Sequence, residues 1–258
     1  DRPTLRFERA VPNPEPTGLG AVAGSGGTAP ELILTPAPFL GSANFRVGVT
    51  GGLGGAFGGK SDPFSLEFCV AKLAQLTGRP VKMLWTREEV FYAHRGRHPM
   101  ELDYCTSATK DGKITGVDAK ILIDGGSYSS FGLVTTYYSG QLLSGPYDFP
   151  SYRFDSTRVF TNKPPCGPKR GHGSVQPRFA FECQLDEVAE QLGIDPIEIR
   201  RKNFHGEHTK TVNGQRITSS GFMECLDKVE RGSGWTERRG KLPRGRGLGI
   251  AGSMYISG

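Results

Sequence analysis

The residues best suited to chemistry by type and spacing are Gly54-Gly55-Ala56-Phe57-Gly58-Gly59-Lys60-Ser61. Ahead of them Phe45, Val47 and Val49 alternate with Arg46, Gly48 and Thr50, which predicts a strand. Helical spacing follows them. A strand, a glycine turn and a helix N-terminus together make an anion site, because backbone N–H groups converge there and the helix dipole favours negative charge. Glycines let the main chain approach a large ligand with no Cβ in the way. Letter for letter, the run also satisfies the nucleotide loop G-x-x-x-x-G-K-S/T. Ile121-Leu122-Ile123-Asp124 even resembles an apolar strand ending in a magnesium-binding Asp. Two features oppose that reading. Phe57 is bulky where phosphate wrapping wants small residues, and Asp124 falls on the return strand of a hairpin rather than in a parallel sheet. The loop by itself indicates an anionic cofactor and not which one.

The elements that must position this loop can be read from periodicity. Ser61 or Asp62 can cap the helix after it and Pro63 fits the first turn. Phe64, Phe68, Ala71 and Ala74 recur on one helical face, and Gly78 can end the helix. Residues 81–85 predict a short strand. Residues 101–108 and 114–124 alternate on either side of Lys110-Asp111-Gly112-Lys113, which predicts a hairpin. A further strand covers 152–160, and 162–177 has no period. A helix is predicted over 178–192 with Phe181, Leu185, Val188 and Leu192 on one face and Gly193 beyond it. Asp195-Pro196 opens a shorter one through Lys202, and Ser219 or Ser220 can cap a last helix over 222–230. The irregular mixture predicts an α+β fold, a mixed sheet and hairpin with packed helices, rather than a doubly wound sheet. Residues 1–44 read as an irregular segment in which Leu32-Ile33-Leu34 is the only strand candidate. Residues 45–258 read as the cofactor-binding domain. Met254-Tyr255-Ile256-Ser257-Gly258 reads as a strand, and with no initial Met the sequence is expected to be a fragment of a longer chain.

Bulk properties narrow the class. The net charge is +6, and Lys and Arg are scattered. The largest basic cluster, Arg238, Arg239, Lys241, Arg244 and Arg246, has no interleaved aromatics, so it reads as a solvated turn rather than a nucleic-acid surface. The excess suits an anionic cofactor or substrate. The 5 cysteines form no CxxC pair, which argues against structural zinc and disulfides, and fits small buried side chains in a reducing, cytoplasmic setting. No apolar run is long enough to cross a membrane.

Gly54-Gly55-Ala56-Phe57-Gly58-Gly59-Lys60 resembles the G-G-G-F-G-G-K loop of the xanthine oxidase/aldehyde oxidase family of molybdenum enzymes. Other blocks resemble the same family in the same order. They are Arg97-His98-Pro99-Met100-Glu101-Leu102 and its continuation through Asp111-Gly112-Lys113-Ile114, Asp124-Gly125-Gly126-Ser127-Tyr128, and Lys169-Arg170-Gly171-His172-Gly173-Ser174-Val175-Gln176. The last comprises Leu185-Asp186-Glu187-Val188-Ala189 and Leu192-Gly193-Ile194-Asp195-Pro196-Ile197-Glu198-Ile199-Arg200-Arg201-Lys202-Asn203. Together they outweigh the nucleotide-loop match. The resemblance implies part of a molybdopterin-binding large subunit carrying molybdenum–molybdopterin in its cytosine dinucleotide form. It also implies 2Fe–2S clusters and FAD in partner subunits or domains, since no cluster-binding cysteine spacing occurs here. The stretch Ser129-Ser130-Phe131-Gly132-Leu133-Val134-Thr135-Thr136-Tyr137-Tyr138 and residues 170–181 resemble the branch of the family that acts on para-hydroxybenzoyl-CoA.

Residue by residue, the resemblance puts Gly55, Ala56, Phe57 and Gly58 beside the cofactor, with Phe57 and Gly58 near the metal's oxygen ligand. The plain alternative for Phe57 is a hydrophobic plug in a tight turn. Arg170, Gly171, Gly173 and Gln176 match the loop whose backbone and Gln side chain contact pterin and metal ligands, a task suited to an amide that both donates and accepts. Arg170 would pair with an anionic group or form a surface salt bridge. His172 stands where purine-oxidising members carry Phe, and reads as a proton donor beside the substrate or as a satisfied loop histidine. Ser61 replaces a Glu of those members, and Tyr138 falls near a substrate-binding Arg. A phenol can donate a hydrogen bond or a proton to a phenolic oxygen. These departures point away from purines and toward an aromatic substrate, with His172 and Tyr138 as the candidate catalytic residues. No residue is assigned as a metal ligand. His94 and His98 read as structural. The family's catalytic Glu is expected downstream of residue 258, which would leave this fragment inactive alone. The expected activity is reductive dehydroxylation of an aromatic CoA ester, with iron–sulfur and flavin subunits as partners. The alternatives are a molybdenum hydroxylase of an aldehyde or N-heterocycle, a nucleotide-binding protein and a non-catalytic assembly module.

Overall fold

A computed structural model of the chain describes residues 57–59 and 64–255 throughout, and the course of the backbone at 6–8, 31–36, 45–50 and 56. The chain forms two compact units: residues 1–96 with 167–170, and residues 97–166 with 171–258. Among the described residues no helix is long and apolar enough to cross a membrane.

The first unit runs β1 (Arg6–Glu8), β2 (Glu31–Pro36), β3 (Phe45–Thr50), α1 (Ser65–Thr77), β4 (Lys82–Met83) and α2 (Arg87–Ala93). Its sheet has the order β1-β3-β2-β4. β3 forms over the residues where alternation predicted it, and β2, which includes Leu32 to Leu34, pairs with it antiparallel. The expected caps Ser61 and Asp62, and Pro63, lie outside the described residues. The cap is instead Phe64, with Ser65 as the first helical residue. The buried seam of α1 is Leu66, Val70, Ala71 and Ala74. Phe68, expected on that face, is 58% exposed. The true seam repeats at i, i+4 and i+8, which puts residue 68 on the opposite side of the cylinder. Phe64 joins the core as a cap, packing edge-on against Trp85 at 5.4 Å. Gly78 ends α1 in the left-handed conformation, as predicted. Of 81–85 only two residues pair as a strand. α2 was not predicted, although Thr86 and Glu89 close a full capping box at its start.

The second unit runs β5 (Met100–Ala108), β6 (Ile114–Asp124), α3 (Gly132–Gln141), β7 (Ser151–Val159), α4 (Val175–Leu192), α5 (Pro196–Lys202), β8 (Thr209–Lys210), β9 (Arg216–Ile217), α6 (Phe222–Ser233) and α7 (Trp235–Arg238). The β5–β6 hairpin forms where Asp111-Gly112 predicted it. β6 also pairs parallel with β7, so Asp124 stands in a parallel pair as well as a hairpin. Ile114, Val117 and Ala119 of β6 pack with Phe149, Phe181 and Leu185 to form the core. α4 begins three residues earlier than its apolar period suggested. Phe181, Leu185 and Ala189 are fully buried, whereas Val188 and Leu192 lie at the margin of the face.

α3 has no sequence signature, because Gly132, Thr135, Thr136 and Gly140 are weak helix formers. Packing requires it nonetheless: a Cβ at Gly140 would lie 2.5 Å from the Phe154 ring of β7. Asp195 caps α5 as predicted. α6 starts at Phe222, whose N–H donates to Ser220 Oγ. Residues 251–255 carry no strand, contrary to expectation, and 256–258 lie outside the described residues. Four cysteines, 69, 105, 183 and 225, are exposed, and only Cys166 is buried. The four sit on the outer faces of α1, β5, α4 and α6, so they are not core hydrophobes.

Arg200 of α5 is 0% exposed and ties the unit together. Its Nε donates to Glu182 Oε2 at 2.8 Å and its Nη1 to Asp186 Oδ1 at 2.7 Å. Glu182 also accepts from the Tyr147 hydroxyl and from the Gly252 N–H. Breaking one side of such a buried pair leaves an uncompensated charge. Arg200→Ala is therefore expected to lower unfolding stability by about 3–5 kcal/mol in urea titration. A loss below about 1 kcal/mol would show the pair to be structurally idle.

Candidate functional site

In the first unit, the glycine run ends in a 3-10 turn over Ala56–Gly58. Gly55 lies outside the described residues, and Ala56 is described only as backbone. Phe57 adopts φ 49 and ψ 31, a left-handed conformation that costs a non-glycine residue about 1–2 kcal/mol. It is 56% exposed and so is not a hydrophobic plug. The second loop holds this turn in place. The Arg170 N–H donates to Phe57 O at 2.7 Å, and Lys169 Nζ sits 5.2 Å from the Phe57 ring centroid. Gly58, at φ 104, lets the two loops meet, since a Cβ there would come within 2.7 Å of Pro168 O. Phe57, Gly58 and Arg170 are thus neighbours, although Gly58 and Arg170 are 112 positions apart in the sequence.

In the second unit, Gly171 and Gly173 both have positive φ, at 71 and 77. Gly173 lies so close to α3 that a Cβ would meet Thr135 O and Tyr138 Cβ at 2.8 Å. The Ser139 hydroxyl, which donates to Gly173 O at 3.0 Å, fixes the same approach. This seats His172 on α3. Its Nε2 is 2.8 Å from Thr135 Oγ1 and 3.3 Å from Phe131 O. Its ring meets Tyr138 edge-on at 6.4 Å, Phe131 at 6.4 Å and His98 at 6.0 Å. The two candidate catalytic residues, His172 and Tyr138, are therefore side by side.

Gln176 stands in the first turn of α4. Its Nε2 donates to His98 O at 2.7 Å, which fixes the amide orientation because a carbonyl can only accept. Its Oε1 is then left buried with no hydrogen-bond partner among the described residues. An unmet buried acceptor costs about 1–3 kcal/mol, which a donor reaching Oε1 would relieve.

Two residues that sequence reasoning missed belong to this cluster. His98, read as structural, is 2% exposed, and its Nδ1 lies 3.4 Å from Thr135 Oγ1. Burial above all, then the positive charges of His172 and Arg158, push its imidazole down to about 4, against the pull of Asp124. Thr135 is 1% exposed and touches both histidines. Asp124, the candidate magnesium ligand of the nucleotide reading, is instead committed to its own turn. It accepts from Lys163 Nζ above all, then from Gly126 N and Thr161 Oγ1, which hold its carboxyl down at about 2.

Residues 37–204, well over half of the chain, match the family described as Molybdopterin cofactor-binding domain. The chain belongs to this family. Among curated proteins it is 35% identical over 211 residues to the putative xanthine dehydrogenase molybdenum-binding subunit XdhA of Escherichia coli K12, covering 80% of this chain and 28% of that protein. It is 39% identical over 177 residues to the nicotinate dehydrogenase large molybdopterin subunit of Eubacterium barkeri, covering 68% of this chain and 41% of that protein. Among solved structures, the aldehyde oxidoreductase of Desulfovibrio gigas superposes with a TM-score of 0.73 at 26% identity, over 82% of this chain and 26% of that one. The mixed α+β architecture is thus that of a piece of a larger molybdenum-binding subunit, and the kinship with xanthine and aldehyde oxidoreductases holds. The chain spans well under half the length of these relatives.

The glycine geometry gives a direct comparison. Gly173→Ala combines a left-handed alanine with a backbone clash and is expected to cost about 2–3 kcal/mol in urea titration. Gly171→Ala, whose Cβ would meet only the end of the Val175 side chain, should cost about 1 kcal/mol. Equal losses would contradict the close approach of Gly173 to α3.

Proposed function

We propose that the chain is the molybdopterin-binding part of an oxidoreductase of the xanthine oxidase family, and that the whole enzyme reduces para-hydroxybenzoyl-CoA to benzoyl-CoA, as hydroxybenzoyl-CoA reductase does. The observation that carries the substrate reading is the pairing of His172 with Tyr138, at 6.4 Å between ring centroids. Two proton-bearing side chains at one spot suit a substrate whose hydroxyl must leave.

The residues present fit the cofactor. Among the described residues Gln176 Oε1 is a buried acceptor without a donor, and the ring nitrogens of a pterin supply N–H donors. Gly171 and Gly173 would present bare backbone to it. The cofactor, in its cytosine dinucleotide form, supplies two-electron exchange with the substrate carbon. The reaction breaks the para C–O bond, forms a C–H bond, consumes two electrons and two protons, and releases the oxygen as water. The electrons would arrive through 2Fe–2S clusters and FAD in partner subunits or domains, in the cytoplasm. Tyr138 would hydrogen-bond the phenolic oxygen and His172 would deliver a proton to it as the bond breaks.

A second reading is hydroxylation of an N-heterocycle or aldehyde. The likeness to a nicotinate dehydrogenase subunit at 39% identity favours it. Turnover assays on the assembled enzyme separate the two. The first reading predicts benzoyl-CoA formation from para-hydroxybenzoyl-CoA with a low-potential reductant, falling about 100-fold or more in His172→Phe. Oxidation of nicotinate, aldehydes or purines with no turnover of the CoA ester would overturn it.

A further inference from the structure

We propose that Arg158, near the end of β7, is a positioning residue that latches the segment 125–131 and the start of α3, and thereby sets His172 and Tyr138 in place. Its meaning for catalysis rests on the reading of those two residues under the proposed function. The latch itself does not depend on that reading.

Two glycines point to it. A Cβ at Gly125 would come within 2.4 Å of Arg158 Nη2, and one at Gly132 within 2.1 Å of Arg158 Nε. At both positions the three nearest atoms all belong to this guanidinium. Neither glycine has a positive φ, so the backbone does not ask for glycine at either. Room for Arg158 does. The fit extends along the helix. Gly132 and Gly140 are eight residues apart on α3, about 12 Å of helix, and they face Arg158 and Phe154, four residues apart on β7, about 13 Å of strand. α3 thus lies along β7, with a bare Cα over each of these two side chains.

In that slot Arg158 Nη2 donates to three main-chain carbonyls: Ser129 O at 3.1 Å, Tyr128 O at 3.2 Å and Gly125 O at 3.4 Å. Its guanidinium carbon lies 4.9 Å from the centre of the Phe160 ring. The cation stands at the N-terminus of α3, the end of a helix dipole that disfavours positive charge. Hydrogen bonding, and not the dipole, therefore keeps it there. The segment it grips is strained. Tyr128 and Ser130 take φ of 66 and 42, a region that non-glycine residues avoid. The Tyr128 side chain is 80% exposed, so packing of its ring does not enforce this. Such strain persists only where the surroundings over-determine it. Asp124 and the Lys163 carbonyl tie down the start of the segment, through Gly126 N and Ser127 N. Arg158 reaches its middle.

The consequence falls on the site. Ser129 O also accepts from Gly132 N–H, which closes the turn that opens α3. Between these two residues, Phe131 puts its carbonyl 3.3 Å from His172 Nε2 and its ring 6.4 Å from the imidazole. Less than two turns further on, the same helix carries Tyr138. Opening the latch frees the chain where it meets His172, and Arg158 acts on the site through that chain.

Hydrogen exchange of the amides of 127–135, followed by mass spectrometry on the full-length protein, reads the latch directly. Arg158→Ala removes the guanidinium. Gly132→Ala keeps it but pushes it out of its slot, and alanine is itself the better helix former. Each change is expected to speed exchange over this segment about tenfold and to leave the β5–β6 hairpin as in the parent. The double variant should exchange no faster than either single one, since both changes act on one contact. In the assembled enzyme, with whichever substrate it turns over, each single change should lower kcat roughly 10- to 100-fold with KM less affected, the scale of a small misplacement. Parent-like exchange in Gly132→Ala, or effects that multiply in the double variant, overturns the inference. Turnover unchanged in both single variants overturns it as well. The expected exchange and kcat pattern on a substrate other than the aromatic CoA ester upholds the latch and sinks only the reading of the substrate.

Discussion

Arg200 has no exposed surface, and Glu182 is what allows its charge to stay inside the protein. Burying a guanidinium without a partner would cost several kcal/mol. Here the fork is filled by Glu182, by Asp186 and by the carbonyls of Pro196 and Glu182. The pair clamps α5 to α4 and, through Tyr147 and Gly252, reaches the loop before β7 and the last described segment. One helix register follows from this. Phe181 and Leu185 must face the sheet, and the first turn of α4 must present Gln176 to His98.

A second pin completes the frame. Asn203, at the end of α5, accepts from Ile114 N–H and donates to Gly112 O, both at 2.8 Å. It ties the turn of the β5–β6 hairpin to the same helix pair. The site of the second unit then needs only short-range devices: two left-handed glycines, the bare face of α3 at Gly140 and Thr135, and the Ser139 hydroxyl. In the first unit the device differs. A strained Phe57 is held by the backbone of Arg170, and Gly58 is the residue that makes the approach possible. Strain of this kind in an exposed aromatic is characteristic of a functional turn.

Much of this was legible in the sequence. Alternation gave β3, β5, β6 and β7, Asp111-Gly112 gave the hairpin, and Asp195-Pro196 gave the start of α5. The block ending in Arg200-Arg201-Lys202-Asn203 was the most specific mark of the family, and its physical content is now plain: Arg200 is the buried clamp and Asn203 the pin. α3 was not legible, because its glycines and threonines are poor helix formers held by tertiary contacts. α2 carried a readable capping box that helical periodicity alone overlooks. The Phe68 assignment failed because two apolar stripes competed and burial chose the other. His98 and Thr135 could not be recognised from spacing, since their partnership with His172 exists only once α3 has formed.

We propose that this chain holds a molybdopterin and that the buried Gln176 acceptor helps to hold it. Molybdenum and pterin content of the purified full-length protein tests both parts at once, by elemental analysis and by fluorescence of the oxidised pterin. Stoichiometric molybdenum and pterin are expected in the parent, with a marked loss of both in a folded Gln176→Leu variant. A parent with neither, or a Gln176→Leu variant that retains both in full, would contradict it.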